Sequence, residues 1–477
     1  MGNSSATAKA AQEKFSARVR SAFPKAILLF AVMTVVILVI ILRDTRYFFI
    51  PRFWAEEGKL HFAYSYSHTW LESLLQPQVG YLNFWPNLAT KIATIPPLEW
   101  APLVTTLLAF LIQLVPIVLI LFSRSPFWKS LPRKLFGVAI FIFSPLTMET
   151  WLNTINSFTY FAIATFLILL EDAPAGRVRL WANRVMLLIG GLTGMLSCFL
   201  IPLYFFRAFH EKDKERWIQT LILAACVLVH IYLIFTYTSE ASFKERFHML
   251  GFSTLGVTMW TQGIGLFVFG FDQAREWAQT FFSLAAQDTA SFQMWGRFLL
   301  IFGLVLLFLL PSNLPRKIHF LFISSYLILM VFPMMFSVIE DKYALSVTGL
   351  HQRLFLAPNT LLGWMLLLGA QFKKGNGLRL IFANLVSLLC ALVVGASLFW
   401  GIQSYQKPWF VTAYWPDWKA EVSAWRANPE YLLNIQPEGW TVELKKPRLS
   451  AIVVKYILYT RLHSRKRSWL IHRQDRA

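Results

Sequence analysis

The chain has 477 residues, of which 56% are hydrophobic and only 15% charged, and its mean hydropathy is +0.51. So few charges cannot cover the surface of a soluble protein of this length, which excludes that class and leaves a polytopic membrane protein. The 45 Lys and Arg against 25 Asp and Glu give a net charge of +20, and in such a chain the excess reports topology rather than nucleic-acid binding.

An arm of small and basic residues (1–25) precedes the first apolar run, Ala26 to Leu42. Lys9, Lys14, Arg18, Arg20 and Lys25 before that run assign the N-terminus to the cytoplasm, and the run reads as a signal anchor. Residues 26–400 are expected to hold the transmembrane domain, an all-α bundle of about 9–12 helices. Spans are expected at Pro102–Phe122, Leu135–Leu146 and Phe158–Leu170, then at Ile218–Tyr237, Phe298–Leu310, Ile318–Phe336, Leu354–Ala370 and Leu380–Trp400.

Short basic loops punctuate these spans near Arg133, Arg177, Arg207, Arg316 and Lys373, and each is assigned to the cytoplasm. The stretches 43–100 and 238–297 carry balanced acids and bases and are assigned outside. Val185–Phe206 lies between two basic loops and is too short to cross twice as full helices, since each crossing needs roughly 20 residues. With Gly190, Gly191 and Gly194 in its middle, it is expected to form a broken hairpin of two half-helices. Leu255–Phe271, apolar but rich in Gly and Thr, is expected to be interfacial or re-entrant.

Beyond residue 400 the chain is expected to face outward. Trp409, Trp415, Trp418, Trp425 and Trp440 lie among prolines and mixed charges, too polar for a span and too aromatic for a disordered linker. A small cap over the outer mouth is expected, followed by a basic amphipathic tail, Lys455 to Arg473, lying on anionic lipid. Cys198, Cys226 and Cys390 sit in apolar segments at unrelated spacings and suggest neither a disulfide framework nor a zinc site.

The chemistry is expected in the first outer loop. Glu56 and Glu57 follow Phe53 and Trp54 and precede Gly58, and a partly desolvated carboxylate in such a setting is suited to act as a general base. Which of the two acts is open at this level. Further along, Tyr81, Asn83 and Trp85 are side chains that stack on sugar faces and bond to hydroxyls. Cations expected near the outer interface are Arg46, Arg52, Lys342 and Arg353, the last opening a span beside His351. Glu149, closing a span beside Trp151, is a second carboxylate, and Asn153 and Asn156 follow it. His61 and His68 are seven apart in a loop, not a helical ligand pair, so no metal site is expected, although a divalent cation is compatible with the fold class.

A span followed by a long outer loop with an early acidic pair resembles the GT-C fold of membrane glycosyltransferases. The resemblance is most specific to bacterial members reading W-x-E-[DE]-G and then G-Y-L…P, here Trp54, Glu56, Glu57, Gly58, Gly80, Tyr81, Leu82 and Pro86. The segments Glu149–Ile163, His351–Trp364 and Asp417–Leu444 echo the same proteins. The resemblance implies an inverting enzyme of a bacterial inner membrane, with its site on the extracytoplasmic face. Its donor would be a polyprenyl-phosphate-linked sugar whose phosphate meets Arg353, Arg52, Arg46 or Lys342, its acceptor an envelope glycan or lipid, and one carboxylate would deprotonate the attacking hydroxyl. It further implies no required cofactor, and partners limited to these substrates and membrane lipids. Two rival readings are a transporter or flippase of a lipid-linked saccharide and a non-catalytic partner in envelope glycan assembly. A transporter would be expected to carry inverted repeats and mid-membrane charges, and neither is visible in the sequence.

Overall fold

The computed structural model describes residues 27–445 apart from 79, 146, 173–175, 239–250, 337–344, 350 and 406–413. The basic arm, the amphipathic tail, Trp409 and Lys342 therefore lie outside the described residues. Almost all of the rest is helical, and the chain is an all-α polytopic membrane protein. Among the described residues six helices are long and apolar enough to cross a bilayer: Leu98–Leu121, Lys214–Tyr237, Phe252–Gln287, Thr289–Leu309, Arg316–Phe336 and Leu378–Ser404. Ile27–Arg43 and Ser157–Leu170 are shorter apolar helices, and Ser157–Leu170 is buried along its whole length at the centre of the bundle.

Two segments depart from simple spans, each for a reason visible in its glycines. Arg177–Leu192 and Ile201–Glu211 are separated by a break around Gly194, whose φ of +75° suits glycine. Both limbs end in one polar layer, where Arg184 meets Glu215 at 2.5 Å and Arg207 meets Glu211 at 2.7 Å. Arg207 and Arg216 also donate to the carbonyls of Leu169 and Glu171, satisfying the C-terminus of the central Ser157–Leu170 helix. The expected broken hairpin is thus present. Its tip bonds to the 43–100 loop through Gly194 N–H to the Leu82 carbonyl at 3.0 Å.

The second segment, Phe252–Gln287, is helical where the sequence suggested mostly loop. Its first limb runs parallel to Thr289–Leu309: Gly296 lies against Ser253, Gly256 against Leu300, and Gly303 against Met259. A Cβ on Gly256 would sit 2.0 Å from the Gly296 carbonyl oxygen, so paired glycines allow this approach. Small residues pack helices closely but lower the local hydropathy, which is why the sequence reads as loop. At Gly270 (φ 81°, ψ −179°) the chain turns, in a region only glycine occupies freely. The second limb returns along the first, with Trp277 5.8 Å from Trp260, and Phe281 and Leu284 packed with Val257 and Phe292. The segment is a hairpin that comes back to the side it started from, the geometry of a re-entrant element.

The remaining spans differ from expectation only at their ends. Leu135–Leu146 is replaced by Leu131–Ile142, and the span expected from Phe298 begins at Thr289.

The described part of the C-terminal segment folds into a small cap against the first loop. The Trp418–Ala427 helix and the antiparallel strands Leu433–Ile435 and Trp440–Val442 share a core with Phe53, Phe62 and Ala101. Trp418 is buried there and donates from its indole to the Leu98 carbonyl at 2.8 Å. A common core puts the cap and the first loop on the same side of the membrane. The Arg207–Glu215 layer forms the opposite side.

Candidate active site

The first loop is itself folded. The 57–92 stretch contains a π-helix (Glu57–Phe62), three short helices and the two-residue strands Pro77–Gln78 and Tyr81–Leu82. Polar groups hold its interior together. His61 Nδ1 and Asn87 Oδ1 lie 2.7 Å apart, Asn87 donates to the Gln76 carbonyl at 2.8 Å, and Lys91 Nζ donates to the Ser65 carbonyl at 2.8 Å.

Burial pushes the His61 imidazole down to about 4, with the Asn87 bond opposing. It is therefore neutral when folded and becomes protonated more readily when unfolded. The sign follows directly: its contribution is fully present above about pH 6.5 and is lost as pH falls toward 4, an effect of about 3 kcal/mol. Glu57, whose carboxyl burial pushes up, works in the opposite direction over its own range. We expect the thermal stability of the protein in nanodiscs to fall between pH 6.5 and 4.5, and His61→Gln to flatten that slope. Parallel slopes for the two proteins would refute this account.

The acidic pair is positioned from the far end of the chain. The Gln436 carbonyl accepts from Ala55 N–H at 2.5 Å, and Gln436 N–H donates to the Phe53 carbonyl at 3.2 Å. Between them Ala55 takes φ +40°, a left-handed conformation that costs an alanine about 1–2 kcal/mol. Immediately after this turn the two glutamates point to different surroundings.

Glu57 is 1% exposed and accepts from Thr154 N–H at 2.7 Å, from the Thr154 hydroxyl at 2.5 Å and from Trp54 N–H at 3.3 Å. Desolvation raises its pKa, opposed by the Thr154 bonds and the Arg52 charge. Its oxygens tie the first loop to the 147–156 loop. Glu56 is half-buried, and its carboxylate makes no hydrogen bond among the described residues. It is the carboxylate of the pair with free acceptor capacity.

Gly58 explains the glycine that follows. A Cβ there would lie 2.8 Å from Phe53 Cβ, 2.9 Å from Ile435 Cδ1 and 3.0 Å from Val442 Cγ2, so the cap strands rest directly on it. Gly58→Ala is expected to cost about 1–3 kcal/mol by overpacking and to loosen the cap. Faster hydrogen exchange across 433–442 would register this, and unchanged protection would refute it.

Arg353 enters from the start of the Gln352–Gly369 helix. Its backbone N–H donates to Glu149 Oε2 at 3.2 Å, and its guanidinium pairs with Glu149 Oε1. Arg353 also interacts electrostatically with Glu56 and Tyr81. Gln352 fastens the two loops, its side-chain oxygen accepting from Met148 N–H at 2.9 Å and Glu149 N–H at 3.3 Å. Leu152 (φ 50°) and His351 (φ 53°), like Ala55, are non-glycine residues with positive φ. Three of the four such residues among those described thus flank this group. Strain gathered in one place marks positions that the surrounding structure holds by force.

The structure therefore brings together Glu56, Glu149, Arg353 and Tyr81, with half-buried His351 next in the chain. The other candidates have different neighbours. Asn153 and Asn156 are each 1% exposed and donate to the Glu149 carbonyl at 2.7 and 2.8 Å, so they shape the loop rather than face a ligand. Asn83 is buried against the hairpin tip, bridged to Thr193, and Trp85 packs on Phe161 at 6.0 Å. Arg46 pairs with Asp44 at 2.7 Å and stacks on Trp415, while Arg52 is 2% exposed within a cage of Tyr47, Trp54 and Trp415. Among the described residues no group of three or more His, Cys, Asp or Glu could hold a metal.

Sequence reasoning missed Arg43. Buried at the end of the Ile27–Arg43 helix, it donates to the Thr147 hydroxyl at 2.7 Å and the Tyr405 carbonyl at 3.0 Å, beneath Trp151. A basic residue closing an apolar run on the side away from the N-terminal basic arm was the available signal. It lines a cavity of about 400 Å³ together with Met148 and Gln352, the chain neighbours of Glu149 and Arg353.

No protein-family model, curated protein or solved structure matches this chain.

Proposed function

We propose that this protein is an inverting glycosyltransferase of a bacterial inner membrane, moving a sugar from a polyprenyl-phosphate donor to an envelope glycan or lipid acceptor on the extracytoplasmic face. The observation that carries the reading is a half-buried Glu56 with no hydrogen bond among the described residues, within electrostatic range of Arg353 and directly after a turn in a left-handed conformation. In this scheme Glu56 takes the proton of the acceptor hydroxyl, and the resulting nucleophile attacks the anomeric carbon from the face opposite the leaving phosphate. The bond from that carbon to the phosphate oxygen breaks, and the phosphate leaves as an anion beside the Arg353 guanidinium. A phosphate leaves readily as an anion, so one carboxylate suffices and a second acid is not required. Glu149 holds Arg353 in place, and Tyr81 adds an aromatic face and a hydroxyl at the same mouth.

The test uses the purified full-length protein in sealed proteoliposomes with a panel of polyprenyl-phosphate sugars and glycan or lipid acceptors. The expected product is a new glycoside of inverted anomeric configuration. Movement of the intact lipid-linked sugar between leaflets, with no new glycosidic bond, would replace this reading with transport.

A further inference from the structure

Two cavities flank the Gly270 turn. The polar one, about 400 Å³, is lined by Arg43, Ser144, Asp272, Arg275, Trp400 and Gln403 among others. The Ser144 hydroxyl is buried with no hydrogen-bond partner among the described residues. The second, about 150 Å³, is lined wholly by apolar side chains, including Val268, Leu307, Leu362, Met365, Leu389 and Val393. Val268 and Phe269, adjacent in the chain, line the apolar and the polar cavity respectively, and the Trp400 indole donates to the Val268 carbonyl at 3.2 Å.

Two helices run past both cavities and set their relative depth. On Leu378–Ser404, Leu389 and Val393 line the apolar cavity while Trp400 to Tyr405 line the polar one. On Gln352–Gly369, Gln352 lines the polar cavity and Leu362 to Leu366 the apolar one. At 1.5 Å per residue the apolar cavity lies roughly 10–15 Å deeper along both helices. Polar above and apolar below, at that spacing, matches a lipid with its headgroup at the interface and its chain in hydrocarbon. Leu389 is 46% exposed on the outside of the bundle, which gives a chain lateral access from the bilayer. The apolar volume suits one chain rather than two, and Arg43 and Arg275 supply positive charge for an anionic headgroup.

We infer that the Gly270 hairpin seats a single-chain lipid phosphate, its phosphate in the polar cavity and the start of its chain in the apolar one. That the lipid is a polyprenyl phosphate rests on the transfer reading above; the seat itself does not. Gln352 and Met148 in the wall are the chain neighbours of Arg353 and Glu149, so the seat adjoins the candidate site, although those two residues line neither cavity.

The experiment is photo-crosslinking of the full-length protein in nanodiscs with diazirine-tagged farnesyl phosphate, followed by peptide mapping. Labelling is expected on 264–268 and 389–393. Leu307→Trp, which fills the apolar cavity, and Arg275→Gln are each expected to weaken binding at least tenfold, while Glu56→Gln binds like the wild type. Wild-type affinity in both cavity variants would overturn the inference. So would equal competition by phosphatidylglycerol, which would mark a bulk-lipid contact, or equal competition by inorganic phosphate alone, which would remove the chain site. If Glu56→Gln keeps full transfer activity while the cavity variants lose binding, the transfer mechanism fails and the lipid seat stands.

Discussion

Glu56→Gln should lower sugar transfer by about 10²- to 10⁴-fold, the contribution of a positioned general base, with little change in thermal stability. The substitution preserves shape, and the carboxylate it removes makes no hydrogen bond among the described residues. Glu57→Ala should do the reverse. It strips the acceptor from Thr154 N–H and its hydroxyl, both buried, and should destabilise the protein by about 3 kcal/mol, while the folded fraction keeps most of its turnover. Measuring rate and melting temperature for both variants separates the roles of two adjacent glutamates. A stable, fully active Glu56→Gln protein would eliminate Glu56 as the base.

The second large effect is expected at Arg353. Arg353→Gln removes the cation beside the leaving phosphate and leaves the Glu149 carboxylate largely buried without its partner. Loss of a charge-assisted contact to the phosphate predicts a fall in kcat/KM of about 10²-fold or more. The abandoned carboxylate predicts a stability loss of about 2–3 kcal/mol, below the value for a fully buried pair because Arg353 is partly exposed. Adding Glu149→Gln removes the orphan charge, so the double variant should recover much of the stability and none of the activity. If activity returned along with stability, Arg353 would be a structural partner of Glu149 and nothing more.

Much of the architecture was legible before any coordinates. Gly190, Gly191 and Gly194 between two basic loops pointed to a broken hairpin, because 22 residues are too few for two full crossings and a single span would put one basic loop on the wrong side. The tryptophans clustered between residues 409 and 440 pointed to a folded segment, and Trp418 is buried in one. The Phe252–Gln287 helices were harder to read, since Gly256 and Gly296 pack helices by contact rather than by hydropathy. Among the site residues, Glu56, Tyr81, Glu149 and Arg353 were recognisable as types suited to the chemistry. Asn153 and Asn156 looked equally suited, and nothing local could reveal that both are consumed by the Glu149 carbonyl.

Composition and the spacing of charge alone determined the class: a helical, multi-pass membrane protein whose basic loops alternate with neutral ones. These properties depend on residues close together in the chain, where hydropathy and helical period act directly. Which glutamate is locked and which is free was decided only in three dimensions. Gln436, from the other end of the chain, grips Phe53 and Ala55 and sets the turn, and Thr154 then captures Glu57. A side chain's direction after a left-handed residue depends on partners that hold that residue there, and partners so distant leave no mark in the local sequence.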